Sequence, residues 1–232
     1  MKLPEPLYRA VLLRRYKRFL ADVELENGRR AVAHVADPGR LPGLAVPGAE
    51  LWLSGHRDPR RKLPFRVELI RQGRALVGVN SANPNRLARE GFARGLIGFA
   101  RGFALARREP RLASGGRLDF LLRDPWGREL WVEVKGVTWR AEGRTAAFPD
   151  APTARGRRHL EALIGRLREG GAAALLFVVQ RADVESVRAA AEVDPDYAEL
   201  LHAGRALGLR VEAWRCRVNQ RAIELDAPLP VV

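Results

Sequence analysis

Cysteine and long apolar runs are almost absent from this sequence. Cys216 is the only cysteine among 232 residues, which excludes an intramolecular disulfide and a cysteine metal cluster. No apolar run approaches the length of about 18 residues that suits a membrane helix. Residues 1–6 also lack the apolar core of a signal peptide. We therefore expect a cytoplasmic protein that does not insert into a membrane.

Acidic residues are scarce relative to basic ones. Lys and Arg number 41 against 27 Asp and Glu, which gives a net charge of +14, and only four of the cations are lysines. Such an excess indicates a polyanionic partner, nucleic acid and first of all DNA. A GC-rich genome or solvated arginine faces would give the same composition without a partner. Composition leaves both a monomer and a homodimer open.

Turn signals divide the chain into two halves of different pattern. In residues 7–79, short apolar segments are broken about every 8 to 12 residues, which is typical of a small β-barrel or sandwich. Asn27 and Gly28 form a strong hairpin signal. From Asn85 onward, helical and strand patterns alternate, as in an α/β domain. We predict an all-β domain over residues 1–82 and an α/β domain over residues 83–232, beginning with a helix from about 84 to 100.

Two carboxylates and an ammonium interrupt segments that otherwise have the pattern of core strands. The segments are residues 117–123 and 129–136, and turn residues 124–127 between them predict a β-hairpin. Pairing Arg123 with Glu129 places Leu118, Phe120 and Leu122 on an entirely apolar face. Pairing Arg123 with Arg128 would instead set like charges together and spoil that face. We predict the first register.

This register places Asp119 directly opposite Glu133. Their β-carbons are expected about 4.5 to 5.5 Å apart, which is destabilising unless a cation lies between the carboxylates. Lys135 follows Glu133 by two residues and therefore shares its face of the strand. The alternative is a surface ion cluster in which Lys135 simply neutralises both acids.

Oxygen ligands without a nearby His or Cys favour a hard cation, so Asp119 and Glu133 predict a Mg²⁺ or Mn²⁺ site. The four histidines show no metal-ligand spacing, and each is expected to be structural. A hard cation beside a lysine is suited to phosphodiester hydrolysis, with Lys135 orienting or activating the attacking water. Glu90, on the first predicted helix, is a candidate third acid, although pairing with Arg86 or Arg94 is equally expected. Asp150 lies in a proline-rich turn and either contacts this site or starts the turn.

Several basic and aromatic residues are candidates for holding nucleic acid. The segment from Tyr16 to Phe19 interleaves aromatics with cations, as a surface that stacks bases and follows phosphates would. Arginines near the start of the helix after Thr153 could hold a phosphate together with backbone amides. Core packing and solvated faces are the competing interpretations. The candidates are Tyr16, Lys17, Arg18, Arg40, Arg61, Lys62, Arg155, Arg157 and Arg158.

The order helix, strand, acidic hairpin, helix, strand, with Asp119 and the Glu133–Lys135 pair, resembles PD-(D/E)XK restriction-endonuclease-like nucleases. Leu118 stands where that motif usually has proline. Further motifs are spread over almost the whole chain and resemble the sugar fermentation stimulation protein A (SfsA) family. They lie at residues 16–23, 34–41, 80, 85–87, 117–120, 132–138 and 148–156.

The resemblance implies an OB-like barrel followed by a PD-(D/E)XK-type α/β domain, DNA binding and a regulatory role in sugar metabolism. Our leading hypothesis is a DNA-binding protein with a divalent-metal nuclease-like site at Asp119, Glu133 and Lys135, completed by Glu90. The alternative is a non-catalytic DNA-binding regulator of sugar (maltose-type) metabolism genes that retains the acidic hairpin as a remnant. A weaker third hypothesis is an RNA-processing protein that uses the same site.

Overall fold

A computed structural model describes residues 1–56, 62–112 and 115–232 of the chain. Its first part is a barrel of antiparallel strands that is closed by one parallel pairing. The strands are β1 (Leu7–Tyr16), β2 (Leu20–Leu25), β3 (Arg30–Val35), β4 (Glu50–Gly55), β5 (Phe65–Gln72) and β6 (Ala75–Gly78). The order is β3-β2-β1-β4-β5-β6, and β3 pairs in parallel with β5.

The barrel follows from the turn chemistry of the sequence. Gly28 adopts a φ of +76° between β2 and β3, a conformation that L side chains rarely adopt, and the predicted hairpin is confirmed there. Alternate residues of β2 are buried, which gives the barrel a dry interior. That interior contains Ala21, Val23, Leu51 and Leu53, none of which is exposed.

The second part is a mixed α/β domain. Its elements are α1 (Asn83–Ala93), β7 (Ala104–Arg108), β8 (Phe120–Arg123), β9 (Glu129–Val137), β10 (Arg140–Glu142), β11 (Thr145–Phe148), α2 (Ala154–Arg168), β12 (Ala172–Val179), β13 (Ser186–Ala189), α3 (Pro195–Ala206), β14 (Arg210–Val218) and β15 (Ile223–Leu229). The main sheet has the order β15-β14-β12-β9-β8-β7, with β9, β12 and β14 mutually parallel. Strands β10, β11 and β13 form a smaller sheet.

Two apolar layers cover the main sheet. Strand β12 is buried on both faces, so its side chains alternate between the layers, as expected for a central parallel strand. One layer includes α1, and the other includes α2 and α3. Trp52 and Leu69 of the barrel pack into the α1 layer, as do Met1 and Leu3. The barrel and the α/β domain are therefore joined by a shared apolar core.

The predicted hairpin register is confirmed. Arg123 pairs with Glu129, and the ladder continues to Phe120 opposite Val132. Leu118 is a correction, because it packs in the α2 and α3 layer while Phe120 packs in the α1 layer. The reason is that β8 begins at Phe120, so the strand alternation does not extend back to Leu118.

The first helix is also shorter than predicted. Helix α1 ends at Ala93, and Gly95 follows with a φ of +65°, which ends the helical path. The predicted continuation to Ala100 is instead a loop and a short 3-10 turn at Gly98–Ala100. No helix in the described ranges is long and apolar enough to cross a membrane.

Candidate active site

Glu133, Lys135 and His159 form a buried hydrogen-bonded group. Glu133 and Lys135 are two residues apart on β9, and their side chains share one face of the strand. Lys135 Nζ lies 2.6 Å from Glu133 Oε1 and 3.1 Å from His159 Nδ1. His159 Nδ1 also contacts Glu133 Oε1. The ammonium and the imidazole therefore converge on one oxygen of Glu133.

Helix α2 brings His159 to this group. Thr153 caps the helix, since its side-chain oxygen accepts a hydrogen bond of 3.0 Å from the N–H of Gly156. The carboxylate of Asp194 at the start of α3 accepts the Thr153 N–H at 2.7 Å and fixes the cap in turn. His159 lies in the second turn of this helix, whose start is fixed by the Thr153 cap and by Asp194.

Asp119 lies beside Glu133, just outside strand β8. Its Oδ2 accepts the Val134 N–H at 2.8 Å, and its Oδ1 accepts a hydrogen bond from Asn85 Nδ2 at 2.7 Å. Burial, assisted by the charge of Glu133, raises the pKa of Asp119 to about 6. The charge of Glu133 therefore opposes ionisation of Asp119, although the ladder ends at Phe120 opposite Val132 and does not pair Asp119 with Glu133.

Glu133 behaves differently from Asp119. Burial opposes its ionisation, but the hydrogen bond with His159 and the charge of Lys135 outweigh burial and hold the pKa of Glu133 below its ordinary value. Its second oxygen, Oε2, is buried and has no hydrogen-bond partner among the described residues. An ionised carboxylate with one free oxygen next to Asp119 is a suitable donor for a cation.

The donor set fits a hard divalent ion. Among the described residues, no three His, Cys, Asp or Glu side chains are grouped as a metal cluster, so the protein supplies two carboxylates here. Mg²⁺ commonly binds through one or two carboxylates and takes its other ligands from water and substrate phosphates. Asp119 and Glu133 would hold such an ion.

These groups lie at the base of a cleft of about 1280 Å³ between the barrel and the α/β domain. The barrel lines it with the β1–β2 turn and the loop at residues 37–40, and Gln180 and the start of α2 line it opposite. Leu41 N–H donates to Asp150 Oδ2 at 2.8 Å, which ties the barrel loop to the segment before α2. Asp150 thus connects the two walls of the cleft.

The structure brings together eight of the predicted site residues and leaves others elsewhere. Those that line the cleft are Asp119, Glu133, Lys135, Tyr16, Lys17, Arg18, Arg40 and Arg155. The hydroxyl of Tyr16 already donates a hydrogen bond of 3.0 Å to Asp22 Oδ1 within the barrel.

Glu90 is not brought to this site. Its Oε2 accepts a hydrogen bond of 2.9 Å from the Met1 ammonium, and it pairs with neither Arg86 nor Arg94. The position expected of a helix α1 contributor is taken instead by Asn85, five residues earlier, which donates to Asp119.

Four predicted phosphate contacts lie outside the cleft or outside the described structure. Arg157 pairs with Asp194 at 2.9 Å and joins α2 to α3, so its guanidinium is already engaged. Arg158 and Lys62 are exposed but do not line the cleft. Arg61 lies outside the described residues.

Three polar residues of the site were missed from the sequence. The expectation that no histidine lies near the carboxylates was wrong, because His159, 26 residues after Glu133 and on another element, contacts Glu133. Only its position one turn after Arg155 indicated a shared helix face. Asn85 was noted only as part of a motif. Gln180 is fully buried, and neither its amide nitrogen nor its amide oxygen has a partner among the described residues. No spacing rule connects these residues, because the tertiary fold alone brings them together.

Two family models match the chain. The SfsA N-terminal OB domain matches residues 13–79, and the sugar fermentation stimulation protein RE domain matches residues 82–222. The sugar fermentation stimulation protein homolog of Rhodospirillum centenum is 43% identical over 229 residues, 99% of this chain and 98% of that protein. The homolog of Geotalea uraniireducens is 42% identical over 231 residues, 100% of this chain and 99% of that protein.

The fold is shared with a solved relative. The structure of Pyrococcus furiosus SfsA in complex with Ca²⁺ superposes with a TM-score of 0.90 at 26% identity, covering 100% of this chain and 98% of that one. The fold is thus an OB barrel followed by a restriction-endonuclease-like mixed-sheet α/β domain, as the resemblance implied. By its two matching domain models and its full-length relatives, the chain belongs to the sugar fermentation stimulation protein A family.

Proposed function

We propose that this protein is a DNA-binding, divalent-metal-dependent nuclease whose site is formed by Asp119, Glu133 and Lys135. The proposal is supported chiefly by the carboxylates of Asp119 and Glu133 beside the ammonium of Lys135: Asp119 is partly buried and has a raised pKa, and Glu133 is buried and has a free oxygen. Structural ion clusters usually satisfy every buried oxygen, whereas Glu133 Oε2 is left available. The cleft above it is rimmed by cations, which suits a phosphate backbone.

Mg²⁺ or Mn²⁺ is the proposed cofactor. The donors at Asp119 and Glu133 are carboxylate oxygens, which these ions prefer. A relative from Pyrococcus furiosus was solved in complex with Ca²⁺, another ion that prefers oxygen ligands. When bound, the cation would neutralise charge on the phosphoryl oxygens and lower the pKa of the attacking water.

The proposed reaction is hydrolysis of a phosphodiester. A water oxygen attacks phosphorus, the P–O bond to one sugar oxygen breaks, and a proton of the water is ultimately transferred to the leaving oxygen. The products are a phosphate monoester and a hydroxyl. Lys135 Nζ would orient the water or a phosphoryl oxygen by hydrogen bonding, and His159 would hold Lys135 and Glu133 in place.

The second candidate is a non-catalytic DNA-binding regulator of sugar (maltose-type) metabolism genes. One observation favours it: Glu133 Oε1 already contacts both Lys135 and His159, so this group is partly neutralised by the protein alone. Under this candidate, the cationic rim binds DNA and the carboxylates contribute only to folding.

Cleavage assays with purified protein separate the two candidates. Labelled DNA and RNA are incubated with Mg²⁺, Mn²⁺ or EDTA, and the wild type is compared with Glu133→Gln and Lys135→Ala. We expect metal-dependent DNA cleavage that falls by at least about 100-fold in either variant. Unchanged DNA binding without cleavage of any substrate would leave the regulator as the function.

Glu129→Gln provides a matched control. Glu129 lies on the same strand as Glu133, but it pairs with Arg123 at the exposed end of the hairpin. Its loss should leave cleavage within about twofold of the wild type, because exposed ion pairs contribute little to stability. An equal loss of cleavage in Glu129→Gln would show that the effect arises from folding rather than from the site.

A further inference from the structure

The groups proposed for chemistry are recessed. The side chains of Glu133, Lys135 and His159 are 3%, 11% and 13% exposed, respectively, at the base of the cleft. The cleft volume of about 1280 Å³ is larger than the roughly 300 to 1000 Å³ of pockets that hold small ligands. Its size and its open position between two domains suit a segment of a polymer.

The low exposure of the site bears on whether a duplex or a single strand can reach it. In B-form DNA, two backbones flank grooves about 12 and 6 Å wide, so each phosphate lies on the outer surface of a broad rod. We expect a rod of this width to meet the barrel loops that line the cleft before one of its phosphates reaches Lys135, whose side chain is only 11% exposed. A single strand is one flexible backbone and can enter between the two walls.

The barrel wall of the cleft is held in place. Arg15 donates from Nε to the Arg18 carbonyl at 2.9 Å, from Nη1 to the Arg40 carbonyl at 3.1 Å and from Nη2 to the Asp37 carbonyl at 2.8 Å. One guanidinium thus joins the β1–β2 turn to the loop at 37–40. Since that loop also bonds to Asp150, the wall is fixed to the α/β domain. Moving this wall away from the α/β domain to admit a duplex would break the hydrogen bond between Leu41 and Asp150.

An aromatic platform lies beside this wall. Phe19 directly follows the cleft residues Lys17 and Arg18, and it is 42% exposed. Its ring stacks on His34, with centroids 6.2 Å apart and planes 24° apart. Exposed aromatics next to cations are how OB folds hold single strands, by stacking bases and following phosphates.

We propose that the cleft is selective for single-stranded DNA, including single-stranded tails of duplexes, with Phe19 stacking a base as the strand passes toward Glu133 and Lys135. This proposal rests on the proposed nuclease function for its site of cleavage. Its binding component does not depend on turnover.

The test uses the full chain and three DNAs of matched sequence: a single strand of about 30 nucleotides, the blunt duplex and a duplex with a single-stranded tail. This length exceeds the roughly 4 to 16 nucleotides that one OB fold covers. Fluorescence anisotropy in EDTA measures binding, and gels with Mg²⁺ or Mn²⁺ measure cleavage. We expect the single strand to bind at least about tenfold more tightly than the blunt duplex, with cleavage confined to single-stranded DNA.

Phe19→Ala should weaken single-strand binding by about 5-fold to 150-fold, the equivalent of one lost stacked base, while Phe19→Trp should retain it. Trp126→Ala is the matched control, because Trp126 is 79% exposed on the β8–β9 turn, whereas Phe19 directly follows the cleft residues Lys17 and Arg18. This control should bind like the wild type. Thermal melting of each variant confirms folding.

The outcomes separate this proposal from the proposed function. Equal or tighter binding of the blunt duplex, with cleavage of both strands, would overturn single-strand selectivity and leave the nuclease standing. Selective single-strand binding without cleavage in either metal would support the cleft proposal and overturn the nuclease. Preference for single-stranded RNA of the same sequence, or an unchanged affinity in Phe19→Ala, would overturn the proposal as stated.

Discussion

Arg181 offers a sharp test of how the two domains are joined. It follows β12 and is 0% exposed. Its guanidinium donates to Asp183 Oδ1 at 2.7 Å and Oδ2 at 2.9 Å, to the Thr138 carbonyl at 2.7 Å and to Gln72 Oε1 at 2.8 Å. Gln72 ends strand β5 of the barrel, whereas the other partners belong to the α/β domain. Arg181 therefore links the domains directly below the cleft residues Thr138 and Gln180.

Replacing Arg181 by Met retains much of its apolar volume and removes all four hydrogen bonds. Breaking a buried ion pair by removing one partner costs about 3 to 5 kcal/mol. Asp183 keeps a second partner, Arg140, at 2.7 Å, so we expect a loss near the lower end of this range, about 3 kcal/mol. For a chain of this size, such a loss lowers Tm by about 6 to 12 °C.

Urea unfolding and differential scanning fluorimetry measure this loss. The control is Arg188→Ala, because Arg188 forms a partly exposed pair with Glu192 within one short segment. Exposed pairs contribute at most about 1 kcal/mol, so Tm should change by no more than a few degrees. Arg181→Lys should fall between the wild type and Arg181→Met, because it keeps the charge and loses the planar fork. A loss below about 1 kcal/mol in Arg181→Met, or an equal loss in the control, would refute the interdomain role.

Three further outcomes are expected. Burial, with the charge of Asp150, raises the pKa of the Asp37 carboxyl to about 6. The native state therefore holds the Asp37 proton more tightly than the unfolded chain does, and the free energy of unfolding falls as pH rises from about 4 to 6. Asp37→Asn should therefore be more stable than the wild type by roughly 1 to 2 kcal/mol at pH 8 and nearly equal at pH 4, measured by urea unfolding. Gly136→Ala places a Cβ 2.6 Å from Pro84 Cγ, next to Lys135, and should reduce both cleavage and Tm. Gly165→Ala on α2 is the control: its Cβ meets no atom within 4 Å, and the higher helix propensity of alanine should raise Tm by a degree or more. Burial raises the pKa of Cys216, so a thiol reagent should label it only after unfolding, as followed by mass spectrometry.

The hairpin register was predictable because cross-strand charge pairing and the burial of one apolar face favoured the same alignment of the two strands. Only one register gave a dry face without opposing like charges, and the observed ladder from Arg123 to Phe120 follows it. The prediction was wrong at Leu118, where strand alternation no longer applied because β8 had not yet begun. Periodicity gives the face of a residue inside an element, but not just beyond its end.

Glu90 and His159 show that helical spacing does not predict which side chains of other elements a helix residue contacts. Helical spacing placed Glu90 on α1 correctly, but the direction of its side chain was decided by Met1, which is distant in sequence and close in space. His159 had no spacing that suggested a role, because its partners come from β9 through a crossover that includes α2. Contacts between elements depend on how a helix is rotated against the sheet, which a single sequence does not specify.

The environments of Asp119 and Glu133 depend both on the local strand pattern and on contacts between elements. Like charges opposite each other in a strand pair are destabilising, and the predicted register placed Asp119 opposite Glu133. Asp119 instead lies just before β8, and the fold gives the two carboxylates different partners. Asp119 receives two neutral donors, Asn85 and the Val134 N–H, whereas Glu133 receives the ammonium of Lys135 and the ring of His159. Burial keeps the pKa of Asp119 raised despite its two donors, whereas the hydrogen bond with His159 and the charge of Lys135 hold the pKa of Glu133 below its ordinary value. Violations of a local rule that the surroundings only partly compensate are expected at functional sites. The residual repulsion and the free Glu133 Oε2 are therefore the reasons to look for a cation at this pair of carboxylates.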